Sequence, residues 1–314
     1  MPSKAHAHLA TLIAKAREAP LARAAIVHPC SPSSLTAALK ARDEGLLEVV
    51  LVGPEGKIRA NAAEAGLSLE GIEIEPTPHS HAAAARSVGL VTEGKVSVLV
   101  KGSLHTDELL EAVIAPGSGL RTERRISHVY AMDIPAYNKP LLITDAVVNI
   151  QPNLLHKRDI CQNAIDLMRR LGKDRPKVAI LAAVETVNPK MPATIDAAAL
   201  TVMAMRGQIT GGDVDGPLAF DNAIDPEAAR TKGIRSSVAG EADILVVPDL
   251  EAGNMLAKQL IYFAGATAAG LVLGARVPIV LTSRADPLTA RIASAALARL
   301  VAAPEPPELP SGPS

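Results

Sequence analysis

Val96-Ser97-Val98-Leu99-Val100 runs directly into Lys101-Gly102-Ser103-Leu104-His105-Thr106. The first half is short, β-branched and apolar without strict alternation, which marks a parallel strand covered on both faces. The second half turns polar at a glycine, and Thr106-Asp107-Glu108 then makes a good helix start. The same unit recurs along the chain. Strands are expected at 24–28, 48–52, 72–75, 128–132, 141–144, 178–181, 244–247, 271–273 and 279–281, separated by Ala-rich helical segments. This alternation predicts α/β layers with largely parallel sheets. The helix expected over 194–205 places Ile195, Ala198, Ala199, Val202 and Met203 on one stripe. Ser31-Pro32 and Asp286-Pro287 each put a cap residue before a proline at the first helical position, and Gly45, Gly66 and Gly172 are helix stops. The Gly-rich run from Gly207 to Gly216 fits neither a P-loop nor a dinucleotide fingerprint, and reads as a structural or cleft-edge loop.

The 314 residues suggest about two domains. A formal charge of -1 and 2% aromatic residues, with no Trp, argue against a nucleic-acid partner. Two distant cysteines, Cys30 and Cys161, form no disulfide framework and fit a reducing, cytoplasmic setting. The start of the chain has no basic region followed by an apolar one, so no secretory signal is expected. The apolar stretch between Lys258 and Arg276 reads as a core helix leading into a buried strand, not a membrane span. The 8 histidines form no HExxH, and no GxSxG elbow is present, so a metal enzyme or serine hydrolase is not expected. Residues 304–314, rich in Pro, Gly and Ser, are expected to be loosely held.

Ligands of open α/β sheets bind outside the carboxyl ends of the strands. Four such ends carry polar chemistry: Lys101-Gly102-Ser103-Leu104-His105-Thr106, then Thr144-Asp145 with Asn149 behind it, then Pro248-Asp249-Leu250-Glu251-Ala252-Gly253-Asn254, and Thr282-Ser283-Arg284-Ala285-Asp286. The last lies between a strand and a helix N-terminus, where unpaired N–H groups and the helix dipole favour anions. Arg284 adds a planar fork suited to phosphate oxygens, and Ser283 can donate to a carbonyl or phosphoryl oxygen. An exposed strand-to-helix loop with Asp286 as an ordinary N-cap is the competing reading.

These segments occur in the order seen in the phosphate acetyl/butyryl transferase family, together with Asp215-Gly216-Pro217-Leu218-Ala219-Phe220-Asp221. The resemblance covers about residues 85–300. With Arg121-Thr122-Glu123-Arg124-Arg125-Ile126-Ser127-His128 and Val184-Glu185-Thr186-Val187-Asn188-Pro189, it is most similar to a bacterial phosphate acetyltransferase branch. It implies two α/β/α domains around a cleft, akin to the isocitrate/isopropylmalate dehydrogenases. A first domain of residues 1–127 would be completed by 275–314, and a second would span 128–274. It further implies a cytoplasmic homodimer and the reaction acyl-CoA + phosphate ⇌ acyl phosphate + CoA by direct transfer, with CoA as substrate and no cofactor or metal. Ser283, Arg284 and Asp286 become candidate catalytic residues. Lys101, Gly102, Ser103, His105, Thr106, Asp145, Asn149, Asp249, Gly253 and Asn254 become candidate substrate-binding residues.

The acetyl-specific enzymes carry an Asp seven residues after the Ser of the Ser-Arg pair, and here that position is Ala290. Asp286, another strand-end carboxylate or an already ionised thiol could stand in for it. Arg86, Arg121 and Arg124 are candidates for a further phosphate-binding arginine. Three alternatives stay open: a butyryl-specific enzyme, a metal- and NAD-dependent dehydrogenase using Asp213, Asp215 and Asp221, and a non-catalytic acyl-CoA or acyl-phosphate binding protein.

Overall fold

The computed structural model describes residues 7–283 and 285–303. Arg284 and residues 304–314 lie outside the described residues. In chain order the elements are α1 (Ala7–Glu18), β1 (Ala22–Val27), α2 (Pro32–Asp43), β2 (Leu47–Gly53), α3 (Glu55–Glu64), β3 (Glu73–Pro76), α4 (Ser80–Thr92), β4 (Val98–Lys101), α5 (Thr106–Ile114), β5 (Ser127–Asp133) and β6 (Leu141–Thr144). They continue with α6 (Leu154–Arg170), β7 (Lys177–Leu181), α7 (Pro192–Met205), β8 (Asp213–Leu218), α8 (Phe220–Ile224), α9 (Pro226–Thr231), β9 (Ile244–Val246), α10 (Leu250–Tyr262), β10 (Thr267–Leu273), β11 (Ile279–Val280) and α11 (Leu288–Ala302).

All strands of the described residues join one sheet in the order β3-β2-β1-β4-β11-β10-β5-β6-β9-β7-β8. Two parallel blocks, β3-β2-β1-β4-β11 and β6-β9-β7-β8, are linked by β10 and β5, which pair antiparallel with each other and with their outer neighbours. The apolar strands and small-residue helices account for the core. Val98, Leu99, Ile244, Leu245 and Leu271 are completely buried, and α11 packs Ala293, Ala296 and Leu297 against the sheet. Gly45, Gly66 and Gly172 follow the ends of α2, α3 and α6 with φ of 68°, 65° and 100°, the left-handed geometry of a helix stop.

Three expectations are corrected. Asp213–Leu218 is an edge strand instead of a loop. Its Gly216-Pro217 pair hides the strand from a pattern reading, and an edge is where a proline costs no ladder bond. A Cβ on Gly216 would come within 2.8 Å of Ile180, so the glycine allows close strand approach. On α7 the buried residues are Thr194, Ala197 and Leu200, while Ile195 and Val202 are 45% and 52% exposed. That helix is apolar nearly all round, so its periodicity does not single out the inner face. Finally, α11 starts at Leu288 with Pro287 in the N-cap position, and Asp286 is not its cap.

Candidate active site

The carboxyl ends of β1, β4 and β11 enclose a cleft of about 450 Å³ lined by His28, Cys30, Ser31, Ser33, Ser34, Lys57, Asn61, Gly102, Ser103, Thr282 and Arg291. Its geometry begins with the chain reversal after β1. His28 sits at φ 53°, a left-handed conformation unusual for a non-glycine residue. Its carbonyl accepts the N–H groups of Cys30 and Ser103, at 2.8 and 2.9 Å. Gly102 is forced by the same packing, because a Cβ there would lie 2.5 Å from the Val27 carbonyl oxygen. Ser31 caps α2 by accepting the Ser34 N–H, and Ser103 donates to the Ser31 hydroxyl at 2.8 Å.

Cationic and neutral donors dominate this surface. Lys57 and Arg291 bring positive charge, the four serines bring hydroxyls, and among the described residues no carboxylate lines the cleft. Burial, with the Lys57 charge adding, holds His28 below the usual imidazole range, so it stays neutral. Cys30 Sγ lies 3.8 Å from His28 Nδ1, and burial pushes its thiol up. A hydroxyl-rich, acid-free pocket beside a helix N-terminus is suited to a phosphate-sized anion. A larger recess of about 560 Å³ lies at the amino ends of β4 and β11, and there Arg124, Arg170 and Arg276 share the lining with Glu123 and Asp166.

Arg291 connects the cleft to the loop after β11. Its Nη2 donates to the Ser283 carbonyl at 3.0 Å and its Nε to the Asp286 carbonyl at 3.2 Å. The Asp286 carboxylate accepts the Ser283 N–H at 2.7 Å, and the Ser283 hydroxyl accepts the Ala285 N–H at 3.3 Å. Ser283 is exposed, and Arg284, the expected clamp, lies outside the described residues. Ala290 is buried on α11. Arg291 was not picked out from the sequence, since an arginine in the first turns of a helix resembles any solvated charge.

The other candidates fall into three groups. Gly102 and Ser103 line the cleft. Lys101 donates to the carbonyls of Gly102 and Leu104, His105 occupies the N-cap of α5, and Thr106 is its first residue. Asp145 and Asn149 are buried at 2% exposure each. The Asp145 carboxylate accepts the N–H groups of Val147, Val148 and Asn149 at 2.9 to 3.2 Å, and the Asn149 side-chain amide as well. Asn149 Oδ1 in turn accepts Nε of Arg125 at 2.8 Å. These contacts shape the loop after β6 and aim Arg125. Asp249 caps α10, Gly253 lets that helix close onto the Asp145 carbonyl, and Asn254 donates to the Ala146 carbonyl at 3.1 Å. Of the further arginines, Arg86 is bound to Glu75 and Glu93, Arg124 to Asp166, and Arg121 forms a backbone bridge to Ala275.

The acidic trio of the dehydrogenase alternative is dispersed. Asp213 pairs with Arg175, Asp215 accepts the Gly216 N–H, and Asp221 pairs with Lys232. Among the described residues no group of three or more His, Cys, Asp or Glu is placed to hold a metal ion.

A family model described as phosphate acetyl/butaryl transferase matches residues 79–299. The chain belongs to that family. It is 61% identical over 292 residues to a phosphate acetyltransferase of Rhizobium meliloti, covering 93% of this chain and 92% of the relative. It is 38% identical to a phosphate butyryltransferase of Clostridium acetobutylicum, covering 93% and 97% of the two chains. Among solved structures, a branched-chain phosphotransacylase from Enterococcus faecalis superposes with a TM-score of 0.79 at 31% identity, over 90% of this chain and 99% of that one. The cleft thus lies on a phosphate acetyl/butyryl transferase scaffold, with the loop that carries Ser283 held by Arg291.

Proposed function

We propose that the chain catalyses the reversible transfer of a short acyl group between CoA and inorganic phosphate. The observation carrying this reading is the acid-free cleft at the ends of β1, β4 and β11, where Lys57, Arg291 and four serine hydroxyls converge. Phosphate seated there is held by charge-assisted hydrogen bonds, stronger than neutral ones. In the forward direction a phosphate oxygen attacks the thioester carbonyl carbon and the C–S bond breaks to release CoA thiolate. In reverse, the thiolate attacks the acyl phosphate carbonyl and phosphate departs with the C–O electron pair. A free thiol ionises near a pKa of about 8.5, so positive charge around the site favours the attacking form. Arg284 clamps the phosphate oxygens and Ser283 donates to the substrate. Holding both substrates in one cleft supplies much of the acceleration, and no acyl-enzyme, metal or further cofactor takes part.

The direct test is CoA release from acetyl-, propionyl- and butyryl-CoA with inorganic phosphate. Turnover that requires phosphate is expected, and Arg284→Ala should reduce kcat/KM by about 100-fold, the scale of one lost transition-state clamp. Binding of acyl-CoA without turnover by the wild type would overturn the reading. A preference for butyryl-CoA would place the chain with its butyryl-transferring relatives instead.

We further propose a cytoplasmic homodimer. No helix among the described residues is long and apolar enough to cross a membrane. Exposed Ile195, Val202 and Met205 give α7 an apolar outer face suited to a second copy. Light scattering should return twice the 32.6 kDa chain mass, and a monomer at micromolar concentration would contradict it.

A further inference from the structure

A second, much smaller cavity adjoins the cleft. It measures about 30 Å³ and is enclosed by α2, α11 and the strands β1, β2, β4 and β11. Ser34, Thr282 and Arg291 line both spaces, so the cavity and the cleft share one wall. Apart from these three and Lys101, its lining is apolar. Ile26, Ala38, Ala41, Leu47 and Ala295 are all buried there.

The change from polar to apolar follows the spacing of each element. On α2, Ser34, Ala37, Ala38 and Ala41 stand at i, i+3, i+4 and i+7, which makes one stripe with a hydroxyl at the cleft and methyl groups behind it. On α11, Arg291 at the cleft is followed one turn on by Ala295. At the end of β11, Thr282 at the cleft is preceded two residues back by Val280. Three elements thus present hydroxyl or cationic groups to the cleft and aliphatic groups to the cavity next to it. A ligand suited to both spaces has an anionic head and a short apolar chain, as an acyl phosphate does. The size of the cavity limits the chain. One water-sized group needs about 10–15 Å³, so about two fit: a methyl or an ethyl group, but not the propyl group of a butyryl chain.

We propose that this cavity is the acyl-chain pocket, and that Ala38, Ala41, Ala295 and Leu47 set the chain length it admits, in the acyl transfer proposed above, on which this inference rests. The chain therefore acts on acetyl and propionyl groups and rejects butyryl. One surplus methylene in an apolar pocket changes kcat/KM by about 10- to 200-fold, which is the discrimination expected between propionyl and butyryl.

The test compares kcat/KM for acetyl-, propionyl- and butyryl-CoA at saturating phosphate in wild type, Leu47→Ala and the milder Leu47→Val. Each variant is read as the ratio of butyryl to acetyl turnover in one preparation, which a reduced folded fraction does not alter. Leu47→Ala opens the pocket and should raise that ratio about 10-fold or more, with half-saturating phosphate within about 3-fold of wild type. Leu47→Val should raise it less, and serves alone if circular dichroism shows Leu47→Ala unfolded. An unchanged ratio in the folded variants would overturn the assignment, as would a wild type that uses butyryl-CoA as well as acetyl-CoA. A wild type that releases CoA from none of the three would instead overturn the functional reading, and the role of the pocket with it.

Discussion

Arg291→Ala should lower kcat/KM by about 100-fold or more while the sheet stays folded. The guanidinium lines the cleft and also bonds the carbonyls of Ser283 and Asp286, so one side chain provides charge and holds the loop. Hydrogen bonds from a charged donor are worth about 1.5–3 kcal/mol each, and about 2.7 kcal/mol corresponds to a factor of 100 in rate. Arg291→Lys keeps the charge but not the fork, and should recover only part of the loss. Steady-state kinetics beside circular dichroism decides this. A folded Arg291→Ala variant within about 3-fold of wild type would show that neither the cleft charge nor the loop anchor matters to the chemistry.

Asp145→Ala should act on stability first. Its carboxylate serves three backbone N–H groups of its own loop and the Asn149 amide, all in a buried setting. Each buried donor left unpaired costs about 1–3 kcal/mol, so a loss of roughly 3–5 kcal/mol is expected after the loop relaxes. That is a large part of the roughly 5–15 kcal/mol by which folded domains are stable. Urea unfolding measures it directly. Asp145→Asn retains one acceptor oxygen and should lose clearly less. An Asp145→Ala midpoint equivalent to less than about 1 kcal/mol would mean that these bonds do not hold the loop.

Much of this fold is legible in the sequence because apolar runs that end in glycine and hydroxyl residues repeat with helical segments between them. The run 96–106 is typical: the strand, the turn at Gly102 and the start of α5 are all where its pattern puts them. The edge strand β8 was not, because Gly216-Pro217 imitates a turn and an edge tolerates both residues. Nor could the inner face of α7 be read from a helix that is apolar on most sides. The cleft gathers the ends of β4 and β11, which the sequence reading named, and of β1, which it did not, while the named ends of β6 and β9 do not line it. Asp145 and Asn149 are polar and strand-terminal, yet their atoms are consumed by backbone and by Arg125. Arg291 carries no local motif. It comes to the loop after β11 only through the packing of α11.

The seat of the inorganic anion is best probed through Lys57, which lines the cleft from α3 and is bound to no carboxylate among the described residues. Initial rates of CoA release from acetyl-CoA should be measured against phosphate concentration for wild type and Lys57→Ala. Half-saturating phosphate should rise about 10-fold in the variant, as expected for one lost charge-assisted contact of about 1.4 kcal/mol, with half-saturating acetyl-CoA little changed. Equal phosphate saturation in the two proteins, or release that needs no phosphate at all, would show that the anion is not held at the ends of β1, β4 and β11.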